Sequence, residues 1–276
     1  MFVIITVLFA AVLLYLWLIA PSFIRRDISP FLSKPAAHRG AHGDGIPENS
    51  LRAFEAAVQN GYPIELDVRL SADGIPMVIH DDSLFRLCGD IRHVSELTAG
   101  ELSNLFIGET EEKIPMLSQV LETVNGRVPL LIELKSGGNT AERAFEILKN
   151  YTGYYAVESF DPYCLYRYRR KDKNTPIGIL ARRSSGVGRA KERIFWILSG
   201  RVIFNFLCRP DFICYRISDS LPFSVKLASL LGASLIGWTA KDRAEYISAK
   251  FRFNGVICDN IYKIEKNNGS EFTDSL

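Results

Sequence analysis

Apolar residues along the chain fall into patterns that predict different elements. Residues 2–20 form a run of 19 residues without a charge, close to the roughly 20 that cross a bilayer as a helix. From residue 36 onward, short apolar runs alternate with stretches in which apolar residues recur at helical spacing. This alternation predicts a parallel sheet wrapped by helices. The polar stretch from Lys266 offers no core residues and predicts a frayed tail.

Nine of the short apolar runs are predicted to be strands. The second and third are separated by five residues that include Asp73-Gly74, a pair typical of tight turns. Because that connection is too short for a parallel crossover, we expect an antiparallel hairpin, with Asp67 roughly opposite His80. Eight strands then remain for a parallel barrel with one extra strand. The predicted strands are Ala36–His38, Ile64–Leu70, Pro76–His80, Leu130–Lys135, Ala156–Phe160, Ile177–Leu180, Phe212–Arg216, Leu235–Trp238 and Gly255–Cys258.

Helical periodicity is clearest after the first strand. Asn49 is the predicted N-cap of a helix whose apolar residues recur at helical spacing up to Gly61. Each predicted helix is expected to cover an outer face of the barrel. Similar patterns predict helices over 116–124, 141–148, 223–231 and 243–251.

The apolar N-terminus predicts a membrane anchor over residues 1–24. A cleaved signal peptide is the alternative, but the run is longer than a typical signal-peptide core, has no Lys or Arg before it, and lacks a small-x-small cleavage site. Arg25, Arg26 and Lys34 follow the run, and the positive-inside rule then places the following domain in the cytoplasm. The predicted parts are the anchor, a linker over 25–35, the barrel over 36–264 and a flexible tail over 265–276.

Charge and cysteine content narrow the classes of function. The 33 basic and 31 acidic side chains leave a net charge of +2, too weak a field to collect nucleic acid, so no nucleic-acid partner is expected. The five cysteines are odd in number and contain no CxxC pair. This argues against a zinc site and against a complete disulfide framework, and agrees with a reducing compartment.

Two of the four histidines lie at ends of predicted strands. His38 ends the first strand and is followed by Arg39, and His80 ends the third and is followed by two aspartates. A lone histidine is more often structural than catalytic. Because barrel active sites are built at strand ends, these two together are predicted to be catalytic. His42 and His93 have no such setting and are predicted to be loop residues.

Three carboxylates fall within otherwise apolar strands. Glu65 and Asp67 are two residues apart and so project from the same face of their strand. Glu133 is a further carboxylate within an apolar strand, later in the chain. Like charges in a core are costly unless a cation neutralises them, so the trio predicts a site for Mg²⁺ or Ca²⁺; the alternative is a set of surface carboxylates on edge strands. Lys135 and Arg39 point to the same region, either as phosphate contacts or as structural counter-ions.

Seven short motifs in the first half of the chain form one set. They are His38-Arg39-Gly40, Pro47-Glu48-Asn49-Ser50, Ala53-Phe54, Glu65-Leu66-Asp67-Val68, Asp73-Gly74 with Pro76, His80-Asp81 and Glu133-Leu134-Lys135. The set resembles the glycerophosphodiester phosphodiesterase family. Weaker agreement continues in Ser159-Phe160-Asp161, Gly237-Trp238-Thr239 and Gly255-Val256-Ile257-Cys258-Asp259. Glu158 departs from the family's usual Gln, and Asn260 from its usual Thr-Asp-x-Pro-like segment.

The resemblance implies a TIM-type (β/α)8 barrel that hydrolyses glycerophosphodiesters to glycerol 3-phosphate and an alcohol with one divalent cation, Mg²⁺ or Ca²⁺. A non-catalytic, membrane-tethered headgroup-binding protein and a metal-independent phosphodiesterase with two histidines are the alternatives. The implied roles are metal binding by Glu65, Asp67 and Glu133, general acid and base by His38 and His80, phosphate contact by Arg39 and Lys135, support by Glu48 and Asn49, and a glycerol pocket lined by Trp238.

The segment 182–210 is an insertion in which a basic cluster is followed by apolar and aromatic residues. This order is typical of a segment that lies on a membrane surface; a basic loop followed by a buried barrel helix is the alternative. If the segment contacts membrane lipid, lysophospholipids become candidate substrates alongside soluble glycerophosphodiesters.

Overall fold

The computed structural model describes residues 1–135, 137–184 and 189–265. The predicted tail from residue 266 and the middle of the predicted insertion, residues 185–188, lie outside the described residues. Within the described part, residues 36–258 build one closed barrel, and the N-terminal helix extends from it.

Eight parallel strands form the barrel, as predicted, and a ninth pairs antiparallel with the second. The ring closes through the first strand, where Ala37 pairs with Ile64 on one side and with Cys258 on the other. The strands are β1 (Ala36–His38), β2 (Ile64–Leu70), β3 (Pro76–Val78), β4 (Leu130–Leu134), β5 (Tyr155–Ser159), β6 (Ile177–Ala181), β7 (Phe212–Arg216), β8 (Ser234–Ala240) and β9 (Gly255–Cys258).

Helices follow most barrel strands and cover the outside, with additional short helices in the connections. Short 3-10 turns lie at Ser29–Phe31 and Val94–Glu96. The helices are α1 (Phe2–Ile19), α2 (Leu51–Gln59), α3 (Phe85–Cys88), α4 (Ala99–Leu102), α5 (Leu117–Val124), α6 (Thr140–Leu148), α7 (Pro162–Lys171), α8 (Ala190–Gly200), α9 (Asn205–Cys208), α10 (Phe223–Leu230), α11 (Arg243–Lys250) and α12 (Ile261–Glu265).

The two faces of each barrel strand have different roles, because successive side chains alternate between inside and outside. On β2, Leu66 packs outward against the helices. On β4, Leu131 belongs to the inner cluster that fills the lower barrel together with Phe212. Gly178 leaves room for the ring of Phe212, since a Cβ there would lie 2.0 Å from that ring. The inner face is therefore apolar near the strands' N-terminal ends, and its polar residues lie near the C-terminal ends.

The segment before β1 closes the N-terminal end of the barrel. Ile28 and Phe31 are buried and belong to the same inner cluster as Leu131. Burying these two side chains removes apolar surface from water, a favourable contribution of about 1.5–3 kcal/mol each. Part of the predicted linker thus packs as the floor of the barrel.

The β2–β3 hairpin forms as predicted, but its pairing is one residue away from the predicted one. Val68 pairs with Val78, and the N–H of Ile79 donates to the carbonyl of Asp67 at 3.0 Å. The loop is held by Ser71, whose Oγ accepts the N–H of Ile75 at 2.9 Å, so the turn is centred on Asp73 alone. Asp67 therefore lies opposite Ile79 and not His80, which follows the strand.

Helix α1 packs against the barrel only through its C-terminal end. Residues 1–14 are exposed, whereas Ile19 is fully buried. The carbonyl of Ile19 accepts the side-chain N–H of Asn205 at 2.9 Å, and Trp17 stacks on Phe206 with ring centroids 5.3 Å apart. Among the described residues, α1 is the one helix long and apolar enough to cross a membrane, with 18 residues and a mean hydropathy of 2.9.

Candidate active site

The three predicted metal ligands lie close together at the C-terminal end of the barrel. Glu65, Asp67 and Glu133 are buried, with exposed fractions of 2%, 0% and 7%. Each offers an oxygen, and these oxygens all lie within 4.8 Å of one another. The pairing of β2 with β4 brings these carboxylates together, because Asp67 on β2 pairs with Glu133 on β4. The alternative of surface carboxylates on edge strands is therefore wrong.

Two cations lie against this trio. Lys135 Nζ is 2.6 Å from Asp67 Oδ1 and 2.7 Å from Glu133 Oε2. Arg39 Nε is 3.2 Å from Asp67 Oδ2, and its Nη1 donates to Glu48 Oε1 at 2.8 Å. Burial raises the pKa of Asp67, but Lys135 and Arg39 lower it by more, so this carboxylate stays ionised well below its usual range. Both cations thus serve as counter-ions in the structure.

Three other buried carboxyls in the cleft, those of Glu133, Glu158 and Glu65, have raised and not lowered pKa values. Burial, opposed by Lys135 and reinforced by Asp67, raises the pKa of Glu133 to about 7. Burial likewise raises the pKa of Glu158 to about 8, and that of Glu65 well above its usual range. Buried carboxylates that share a site are stabilised when a cation neutralises them. The donor set of Glu65, Asp67 and Glu133, made of hard oxygen atoms only, fits a divalent cation such as Mg²⁺ or Ca²⁺.

Each predicted catalytic histidine is held by a carboxylate through Nδ1. His38 Nδ1 is 2.9 Å from Asp259 Oδ1, and His80 Nδ1 is 2.6 Å from Asp81 Oδ1. Both rings line the cleft, so Nε2 is the nitrogen that a substrate would meet. Burial lowers the pKa of both histidines, which keeps them neutral near pH 7 and able to accept a proton.

Asn49 is part of the site and not the N-cap that the sequence suggested. The N-cap of α2 is Ser50, whose Oγ accepts the N–H of Ala53 at 3.1 Å. Asn49 has a positive φ of 55°, and its side-chain N–H donates to Asp67 Oδ2 at 2.9 Å. Its backbone N–H donates to the carbonyl of Arg39 at 2.9 Å. The two loops that carry Arg39 and Asn49 therefore support each other and the central carboxylate.

A second support runs from Glu48 to His80. Arg86 Nη2 donates to Glu48 Oε1 at 2.7 Å, and its Nε donates to Asp81 Oδ2 at 2.5 Å. Glu48 also accepts from Arg39, so one chain of ion pairs joins the two sides of the cleft mouth. Sequence reasoning missed Arg86, because it lies on the short helix α3 and reaches Glu48 only in three dimensions.

Apolar residues form the opposite wall of the cleft. The cleft has a volume of about 400 Å³, within the range of small-ligand sites. Trp238 lies on this wall, and its ring meets Phe160 edge to face at 5.6 Å. Leu180 and Ile257 line the same space. A polar, charged floor thus faces an apolar wall.

Three further lining residues were not singled out by sequence reasoning as functional. His42, predicted to be only a loop residue, lines the cleft, with Nε2 3.6 Å from Asp259 Oδ1. His38, His42 and Asp259 also form a group with close ligand atoms, but both rings face the one carboxylate and orient each other through it. Lys241 lines the cleft near Trp238. Of these three residues, only Asp259 could have been found from the sequence, because it ends the motif Gly255-Val256-Ile257-Cys258-Asp259.

The sequence model of the glycerophosphoryl diester phosphodiesterase family matches residues 38–263. The chain belongs to this family. Glycerophosphodiester phosphodiesterase 1 of Bos taurus is 30% identical over 244 residues, which covers 74% of this chain and 70% of the relative. The glycerophosphodiester phosphodiesterase of Thermotoga maritima, a solved structure, is 29% identical with a TM-score of 0.64, over 82% of this chain and 94% of that one.

A phosphodiesterase of Oleispira antarctica, solved with its product sn-glycerol-3-phosphate, shares the fold. Its TM-score is 0.71 at 24% identity, and the match covers 86% of this chain and 97% of that one. The predicted family and the predicted TIM-type barrel are both confirmed. The family match also covers every strand position that carries a predicted site residue, from His38 to Trp238.

Without a divalent cation, this protein is expected to lose stability as the pH rises from about 7 to 8. Glu133 and Glu158 keep their protons up to pKa values of about 7 and about 8 when folded, whereas both ionise near ~4.3 in the unfolded chain. The folded state then binds more protons, so rising pH favours unfolding. His38 and His80, with lowered pKa values, are already largely neutral in both states over this window.

The melting temperature, measured in chelator at several pH values, should therefore fall across this window. Saturating Mg²⁺ or Ca²⁺ should reduce the fall, because the cation binds only the folded, ionised site. A melting temperature that rises from pH 7 to 8 in chelator would show that these carboxyls are not held protonated.

Proposed function

We propose that the side chains of this cleft hydrolyse a glycerophosphodiester to glycerol 3-phosphate and an alcohol. The enzyme class, a glycerophosphodiester phosphodiesterase, follows from membership of the family; the residue roles, the cation and the substrate range are the proposal. It is carried by one observation: a trio of buried carboxylates belongs to the same cleft as two histidines whose Nδ1 atoms are held by carboxylates.

Glu65, Asp67 and Glu133 would hold one divalent cation, Mg²⁺ or Ca²⁺. When bound, such a cation stabilises negative charge on the phosphate oxygens as a Lewis acid. Asn49 keeps Asp67 in place through its 2.9 Å hydrogen bond. Glu48 orients Arg39 at 2.8 Å, so both supporting residues act through their neighbours.

Arg39 and Lys135 would contact the phosphate from the charged floor. Each lies within 3.2 Å of an oxygen of Asp67, so their charges are already directed at the trio. A phosphate bound there would receive hydrogen bonds from both, which stabilise the charge that grows on its oxygens during reaction. Trp238 would pack against the glycerol carbons.

The two histidines would move the protons. One takes a proton through Nε2 from the nucleophile as its oxygen attacks phosphorus. The nucleophile is either water, which gives glycerol 3-phosphate directly, or the glycerol 2-hydroxyl, which gives a cyclic phosphate that water then opens to glycerol 3-phosphate. The bond from phosphorus to the alcohol oxygen breaks, and the other histidine donates to that oxygen a proton that it takes up from water when the anionic substrate binds beside it. Asp259 and Asp81 hold the rings in position at 2.9 Å and 2.6 Å and stabilise the protonated form.

Product analysis tests this function. Detergent-purified protein is incubated with glycerophosphocholine and glycerophosphoethanolamine, and the phosphorus-containing product is identified by ³¹P NMR. Glycerol 3-phosphate is the expected product from both. Phosphocholine or phosphoethanolamine would show that the other ester bond breaks, and no turnover by folded, cation-loaded protein would favour the headgroup-binding alternative.

A second candidate substrate class is lysophospholipids. The apolar wall of the cleft continues outward, since Trp196 of α8 meets the ring of Phe160 at 6.2 Å. A human relative, 30% identical over 142 residues, is named lysophospholipase D GDPD1. Turnover of a lysophospholipid in the same assay, with release of a lysophosphatidate, would support this class.

We also propose that α1 anchors the barrel to a membrane, with the barrel in the cytoplasm. A retained helix is supported by the burial of Ile19 and by its hydrogen bond from Asn205. Protease digestion of a C-terminal epitope tag tests the orientation. The tag should be cleaved in inverted membrane vesicles and protected in intact cells.

Deleting residues 2–14 is expected to make the protein extractable from membranes by alkaline carbonate and to leave its turnover of soluble glycerophosphodiesters unchanged. These residues are exposed and contribute nothing to the barrel core. The full chain should stay in the membrane pellet after alkaline carbonate washing, and the shortened chain should appear in the supernatant. A full chain that washes off, or that begins after residue 20 by N-terminal sequencing, would contradict the anchor.

A further inference from the structure

Helix α8 extends away from the barrel and is not covered by it. Residues 190–195 are all exposed, and burial begins only at Ser199 and Gly200. Ile194, Phe195 and Ile197 have exposed fractions of 58%, 37% and 39%. Exposed apolar side chains grouped on one helix mark a contact surface. The alternative of a buried barrel helix is thus wrong for α8.

Basic side chains surround this apolar group. Between residues 182 and 201 the sequence has six basic residues and one acidic residue, Glu192. Asp219, which accepts the backbone N–H of Arg183 at 2.7 Å, is already paired with Arg216 through two hydrogen bonds of 2.9 Å. The region is therefore strongly basic. The six basic residues are Arg182, Arg183, Arg189, Lys191, Arg193 and Arg201, and all are exposed.

A groove beside α8 combines both properties. Its volume is about 330 Å³, and its lining includes Arg183, Arg201 and the side chain of Ile197. A site with two guanidinium groups next to an aliphatic wall matches an amphiphile with an anionic headgroup, since arginine binds phosphate through paired hydrogen bonds.

Aromatic contacts connect α8 to the membrane helix on one side. Phe195 stacks on Phe204 at 5.5 Å, and Phe206, two residues further along, stacks on Trp17 of α1 at 5.3 Å. Helix α9, which carries Phe206, also binds the end of α1 through Asn205. The exposed apolar surface of α8 is therefore continuous with the root of the helix that can cross a membrane.

On its other side α8 reaches the cleft. Trp196 meets Phe160 at 6.2 Å, and Arg182 lies 5.4 Å from the ring of Trp196. Phe160 in turn meets Trp238 inside the cleft at 5.6 Å. Helix α8 thus forms one rim of the cleft mouth.

We propose that α8 lies on the surface of an anionic bilayer and forms the lipid-facing rim of the cleft. Ile194, Phe195 and Ile197 enter the boundary between headgroups and acyl chains, and the surrounding arginines and lysine bind the headgroup phosphates. The bilayer is favoured over a protein partner because the surface is both basic and continuous with α1. This binding is independent of catalysis, so a chain without turnover would still show it.

Fluorescence quenching by brominated lipids tests the proposal in the full chain. The background is Trp17→Phe, which removes the indole of the membrane helix, and Ile194→Trp adds one at the exposed position. The protein is placed in nanodiscs of zwitterionic lipid or of lipid mixed with anionic phosphatidylglycerol. The introduced indole should be quenched more strongly when anionic lipid is present, relative to the Trp17→Phe background alone.

Charge neutralisation provides the matched comparison. Arg189→Gln, Lys191→Gln and Arg193→Gln combined should lower the quenching by about half or more, because each basic side chain near the surface adds to the attraction. Neutralising three exposed lysines elsewhere should leave it unchanged; these are Lys113→Gln, Lys149→Gln and Lys250→Gln. Quenching equal to the background in both lipids, failure to bind nanodiscs, or a dimer that shields the introduced indole would overturn the proposal.

Discussion

Replacing Glu65 by glutamine is expected to remove cation-dependent turnover and to leave the folded chain at least as stable as before. Glu65 is buried beside Asp67, Glu158 and Glu133, and its raised pKa shows that its negative charge is unfavourable there. A neutral amide of the same shape removes this repulsion. It also removes one of the three proposed carboxylate ligands, and we expect the loss of several kcal/mol of charge stabilisation to lower the rate by about 10³-fold or more.

The measurements are the rate of glycerol 3-phosphate release at saturating cation and the melting temperature in chelator. Glu158→Gln is the matched control, because Glu158 is equally buried and accepts a hydrogen bond from Cys214 but lies outside the trio. It should keep turnover within about tenfold, a change of about 1.4 kcal/mol. If Glu65→Gln turned over like the wild type, or Glu158→Gln lost as much as Glu65→Gln, the assignment of the trio would be wrong.

Replacing His80 by alanine is expected to lower kcat by about 10²–10⁴-fold, the usual contribution of a general acid or base. KM should change little, because the phosphate contacts assigned to Arg39 and Lys135 remain. The fold should tolerate the change, since Asp81 keeps its ion pair with Arg86. His38→Ala should behave similarly.

His93→Ala is the control for this experiment. His93 pairs with Asp82 at 2.9 Å and is half exposed, outside the cleft lining. Its loss should leave kcat unchanged. The pH profile of kcat should lose one limb in His80→Ala and keep both in His93→Ala; a profile that retains both limbs at a reduced rate would mean that His80 only positions other groups.

Most of the barrel could be predicted because its signals are local. Four strands, including β1 and β2, have their predicted bounds, since each apolar run and its flanking turn residues lie within a few positions. The inward position of Glu65 and Asp67 follows from the alternation of side chains along a strand, so the cluster of carboxylates could be inferred before any contact was known.

Other parts of the site depend on contacts between distant segments. Asn49 has the residue type of an N-cap, and only its contact with Asp67 shows its place in the site. Arg86 and His42 likewise reach Glu48 and Asp259 across the cleft mouth. The hairpin register was missed by one residue because Ser71 holds a loop that the Asp73-Gly74 pair alone does not specify.

We expect hydrolysis in this cleft to require a divalent cation bound by the carboxylate trio. The most direct measurement is the rate of glycerol 3-phosphate release from glycerophosphocholine by the full chain before chelation, after chelation, and after stepwise addition of Mg²⁺ or Ca²⁺. Turnover should disappear in chelator. As Mg²⁺ or Ca²⁺ is added, the rate should rise along the saturation curve of a single cation site, and it should not return in Glu65→Gln. Undiminished turnover in chelator would show that no cation is required and would favour a metal-independent phosphodiesterase.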